Sequence, residues 1–191
     1  MVESTPPYSQ TWDLDSLAPC PSTDAFSELM DRYRDDLCAL ADRSDSLPAL
    51  GDPDPETIGT WEQFLESLED IACRGTELDA FIGCHAAADA GNRRLHQLEA
   101  ELSALGPQRA RLALAVQLGL QAASDEQLEA NQAASPGMAR IAYWLIDQRT
   151  LASLRLPRDQ ELLAAELDVD GLHAWGRLYD RVSGGLRITV M

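Results

Sequence analysis

The chain has no lysine and only three histidines, and its four cysteines include no CxxC pair. No apolar run approaches the ~20 residues that a membrane-spanning helix needs. The start, MVESTPPYSQTWDLDS, has neither a basic opening nor an apolar core, so it does not read as a signal peptide, and a cytoplasmic location is expected. With His85, His96 and His173 as the whole supply of imidazoles, few general bases or metal ligands are on offer. HExxH, which sets two ligands on one helical face around a glutamate base, does not occur. G-x-S-x-G and glycine-rich phosphate loops are missing too. No catalytic, metal-ligating or cofactor-binding residue is therefore assigned, and the chain alone is expected to be inactive as an enzyme. Cys20, Cys38, Cys73 and Cys84 are expected as free thiols, the last three as small buried apolar groups at helical positions.

What is present points to helices. Apolar residues make up 45%, enough for a core, while aromatics are only 6%, so leucine and alanine stripes must do the packing. Charge is lopsided. Residues 1–91 hold 20 carboxylates against 4 arginines, whereas residues 92–191 hold 12 against 11. A net charge of −17 argues against nucleic acid and anionic membrane as partners, because both need a basic face. The plain reading of the acidic front half is a solvated surface; the sharper one is a field that attracts cationic peptides or a basic partner.

Residues 1–21 read as an irregular lead-in broken by Pro6, Pro7, Pro19 and Pro21, with Trp12, Leu14 and Leu17 pinning it to the body. Ser22 to Asp24 offer N-caps for a first helix carrying Phe26, Leu29, Met30, Tyr33, Leu37 and Leu40. Thr60 and Gln63 match a capping box for a second helix, which Gly75 breaks or weakens. A leucine pattern from Arg93 is interrupted at Gly106-Pro107 and resumes through Leu112, Val116 and Leu120. Ser124 with Gln127 forms another capping box, Ser135-Pro136 starts a helix carrying Ile141 to Ile146, and Asp159 to Leu167 makes one more. The prediction is an all-α bundle of about seven or eight helices with a short C-terminal β-strand.

The end of the chain is its most informative part. Leu172, Trp175, Leu178, Tyr179 and Val182 form one helical stripe, read as facing a core, so that Trp175→Ala would cost ~3–5 kcal/mol. Gly184-Gly185 stops that helix, and Leu186, Ile188 and Val190 alternate like a half-buried strand. A lone strand needs a partner, so the chain is expected to be the front part of something longer. Asp170 and His173 lie i, i+3, like half of a di-iron motif, but an N-cap beside an ordinary histidine accounts for them better. His85 and Asp89 are placed for an ordinary i, i+4 ion pair.

Three segments resemble, in order, the N-terminal region of oligoendopeptidase F-like zinc metallopeptidases, relatives of thimet oligopeptidase. They are TWDLDSLAP near the start, LEDIACRGTELDAFIGCHAAADAGN over 68–92, and DGLHAWGRLYDRVSGGL over 170–186. Family members open with a WDLS-type segment followed by an aromatic, whose place Ala18 takes here. The resemblance implies a helical N-terminal domain over 22–185 that forms one wall of a deep channel. Residues 186–191 would begin a catalytic domain carrying HExxH, a later Glu ligand, and a zinc-bound water that attacks short peptides. Zinc and those ligands would all lie in that following part, which is also the expected partner. The alternative is a free-standing acidic helical binding or adaptor module without enzymatic activity.

Overall fold

The computed structural model describes residues 13–14 and 16–186. Its order is α1 (Asp24–Ser44), α2 (Pro55–Ala88), α3 (Arg93–Ser103), α4 (Gly106–Gln121), α5 (Asp125–Ala134), α6 (Pro136–Arg140), α7 (Ala142–Ala152), α8 (Arg158–Asp168), a π turn (Val169–His173) and α9 (Ala174–Gly185). Because the π turn joins α8 to α9 without a break, eight helical bodies result among the described residues. The fold is all-α, as expected. Trp12 and the expected strand beyond Leu186 lie outside the described residues.

Helix starts follow from local chemistry. Thr23 Oγ1 accepts from the Phe26 amide (3.3 Å), and Ser124 with Gln127 forms a reciprocal capping box. At α2 the expected start is corrected. Asp54 caps it, accepting from the Thr57 amide at 2.9 Å, and Pro55 opens the first turn. Thr60 lies inside the helix, its hydroxyl donating back to the Glu56 carbonyl (2.9 Å). Nor does Gly75 break α2, which runs for 34 residues. A Cβ at Gly75 would lie 2.5 Å from Tyr33 Oη, so the glycine serves the close approach of α1.

The helix expected from Ser135 is also divided. Its first piece, α6, ends at Arg140, and Ile141 leaves the helical backbone before α7 begins. Asp170, expected as an N-cap, sits within the π turn and caps nothing.

The core forms where α4 is enclosed. That helix buries Leu112, Leu114, Val116 and Leu120, with α1 on one side and α7 and α8 packed against it as well. Helix α2 packs on α1 and α3, adding Trp61, Phe64, Phe81 and Ile82. Of the lead-in, Leu14 and Ala18 pack against this core while Leu17 is exposed. All four cysteines are free; Cys20, outside the helices, is exposed, and the three expected to be buried are not, Cys73 and Cys84 being exposed and Cys38 half-buried. Helical spacing put them on helices without fixing which side met a neighbour.

Charge asymmetry becomes architecture. Arginines of the second half reach carboxylates of the first: Arg109 pairs with Asp79, Arg111 with Asp42 and Asp45, Arg140 with Glu69, and Arg158 with Asp45. The Arg111 guanidinium, aided by Arg158, holds the Asp45 carboxyl below the usual carboxylate range.

Candidate docking surfaces

Helix α9 packs with its polar face inward. Arg177 donates to Ser103 Oγ (2.6 Å) and to the Val169 carbonyl of the π turn (3.3 Å). A Cβ on Gly184 would stand 2.8 Å from Ala90 Cβ, so the end of α9 closes on the α2–α3 turn. The stripe of Leu172, Trp175, Leu178, Tyr179 and Val182 therefore points to solvent, with Trp175 71% exposed. Its expected core role is overturned: periodicity shows that a stripe exists, but Arg177 and Gly184 decide which face meets the body.

The π turn extends that stripe onto α8. Leu163 and Leu167 are one α-turn apart, and Leu172 follows five residues later, the span of one π turn. Both α8 leucines are exposed, so one apolar line runs from Leu163 to Val182. Exposed apolar surface on this scale marks a site of interaction.

At the base of α9, His96 links the α2–α3 turn to α3. Its Nε2 lies 2.8 Å from the Ala90 carbonyl and its Nδ1 lies 2.9 Å from Glu99 Oε2. Both neighbours only accept, so the protonated imidazole satisfies both contacts. The Ala90 carbonyl, then Glu99, raises the pKa above 6.5, with Arg181 opposing. A raised folded-state value means that this stabilisation is full below the unfolded pKa and fades as pH rises through the folded one. Melting curves across neutral pH should thus show wild-type protein losing stability relative to His96→Gln as pH increases. Parallel pH profiles for the two proteins would refute it.

The other histidines are placed differently. His85 stacks edge-on against Phe81 (4.7 Å), and its Nε2 is buried without a partner. Asp89, its expected ion-pair partner, instead accepts from Asn92 Nδ2 (3.2 Å). His173 lies in the π turn. Among the described residues, no group of three or more His, Cys, Asp or Glu side chains is placed to hold a metal ion. These residues do not fit a zinc site. No helix among them is long and apolar enough to cross a membrane.

A second surface, absent from the sequence reading, lies between α2 and α6–α7. It is a groove of about 660 Å³ whose apolar lining includes Leu65, Leu68, Ile141 and Trp144. Glu62, Glu66 and Glu69 line it from α2, and Arg140 from α6. Ser135 Oγ bonds Glu62 Oε1, bracing α6 against α2. The only signal in the sequence was the spacing of those glutamates, one helical turn apart beside leucines.

Residues 120–187 match the N-terminal family model of M3 peptidases, described as Oligopeptidase F. Neither the curated proteins nor the solved structures yield a match. Of the three resembling segments, DGLHAWGRLYDRVSGGL falls inside the matched span, and the other two lie outside it. The span takes in α5 to α9, hence the whole outward-facing apolar line. From the end of α4 through α9, this chain is similar to the N-terminal region of oligopeptidase F.

Proposed function

We propose that the chain is the N-terminal helical domain of an oligopeptidase F-like zinc endopeptidase acting on short peptides. On this reading, the apolar line of α8–α9 is where the catalytic part docks. The observation that carries it is the orientation of α9. An amphipathic helix that turns Arg177 and Gly184 to the body while exposing Trp175 and Tyr179 leaves its apolar face uncovered among the described residues, and that face lies in the matched span. Zinc, HExxH and the general base belong to the catalytic part. A cytoplasmic setting suits the four free thiols.

The gene supplies the first test. An open reading frame continuing past Met191 into an HExxH-bearing segment is the expected result, and a native stop codon there would overturn the reading. On the purified chain, zinc-dependent cleavage of a quenched-fluorescent peptide would also overturn it. Trp175→Ala tests the docking face itself. It should change stability by no more than about 0.5 kcal/mol, as at other exposed positions, while reducing binding of an apolar dye. A loss of several kcal/mol would return Trp175 to a core.

A further inference from the structure

The groove between α2 and α6–α7 combines an apolar floor with one acidic wall. Leu65 is buried at its base, and Trp144, 37% exposed, stands at its α7 side. Glu62, Glu66 and Glu69 succeed one another by four and three residues, so they share one side of α2. Their charges are answered unevenly. Glu62 takes the Ser135 hydroxyl, and Glu69 meets Arg140 at 3.1 Å with both side chains more than half exposed. Among the described residues, no guanidinium or hydroxyl group bonds the Glu66 carboxylate. One arginine against three carboxylates leaves the lining negative, and low-dielectric walls concentrate such a field.

We propose that this groove binds a short peptide segment carrying an apolar side chain next to a lysine or arginine. The apolar side chain lies on Leu65, Leu68 and Ile141, and the cation reaches Glu66, with the Trp144 ring beside it as an apolar and cation–π platform. Charge complementarity selects this occupant over a second copy of the chain. A copy brings a net charge of −17 and no lysine, so two copies repel. The inference stands apart from the peptidase reading, since it uses α2, α6 and α7 rather than the α8–α9 line.

Fluorescence anisotropy on the full chain tests it, with labelled Leu-Lys-Leu-Arg-Leu and its charge-reversed counterpart Leu-Glu-Leu-Asp-Leu as probes at low salt. The cationic peptide should bind at least about tenfold more tightly, and salt should narrow the gap. Glu66→Arg should weaken it about tenfold, and Glu28→Arg, an equal charge change on α1 outside the groove, less than about twofold. Trp144→Ala should weaken it about fivefold with every charge retained.

Equal losses in the two charge variants would reduce the effect to bulk attraction and overturn the proposal. So would undiminished binding to Trp144→Ala, or no binding by wild-type protein. If Glu66→Arg fails to fold, Glu66→Gln and hydrogen exchange on unaltered protein decide instead. Peptide-dependent protection over 136–144 is expected, and protection confined to α9 would refute the site. A gene that continues into HExxH beside a chain that binds neither peptide would overturn this inference alone.

Discussion

Trp61→Ala is expected to lower stability by about 3–5 kcal/mol, the range for deleting a large buried aromatic. Trp61 is fully buried, and its Nε1–H donates to the Pro48 carbonyl at 3.0 Å. Its ring lies so close to α4 that a Cβ on Gly119 would be 2.6 Å from Cζ2. The same glycine's carbonyl accepts from the Leu50 amide (2.7 Å). Trp61 thus ties together α2, the loop after α1 and the enclosed helix α4. Alanine would open a cavity and leave the Pro48 carbonyl without its donor. Urea titration is the measurement, with Trp61→Phe separating the ring's volume from its hydrogen bond. A midpoint for Trp61→Ala close to wild type would show that this junction does not hold the core.

Gly75→Ala is the second large effect. Alanine favours helix by roughly 1 kcal/mol over glycine, so an exposed site would gain stability. Here the new Cβ meets Tyr33 Oη at 2.5 Å. Tyr33 has little room to retreat: it is 1% exposed, its hydroxyl accepts from Arg109 Nε (2.9 Å), and the Arg74 and Arg109 guanidinium groups lie 5.7 and 5.5 Å from its ring centroid. The net result should be a loss of about 1–3 kcal/mol, typical of overpacking. Tyr33→Phe supplies the control. Alone it should cost about 1 kcal/mol through the lost Arg109 contact, whereas in the Gly75→Ala background it should restore stability by removing the clashing oxygen. Additive losses in that double-mutant cycle would mean that the hydroxyl is not the obstacle.

These positions show how far the sequence could be read. Ser124 with Gln127 was legible because both partners of the capping box lie within one turn. The same pattern at Thr60 and Gln63 misled, because Asp54 and Pro55 had already started the helix. Gly75 looked like a breaker, since its reason for being glycine sits on another helix, 42 positions earlier in the chain at Tyr33. The groove was invisible for a similar reason. Its acidic wall comes from α2 and its opposite side from α6 and α7, and only the fold brings them together.

The sequence by itself determined that the chain is helical, where most of its helices begin, which side of each one is apolar, and the resemblance that residues 120–187 bear out. Those properties arise from contacts within a few turns or from residue patterns along the chain. Only the tertiary structure decided which apolar faces are used. Leu98, Leu112 and Val116 became core because neighbouring helices close over them, whereas Trp175 and Tyr179 face outward because Arg177 and Gly184 turn the opposite side of α9 to the body. A helical period records that a stripe exists; what covers it depends on packing between distant segments.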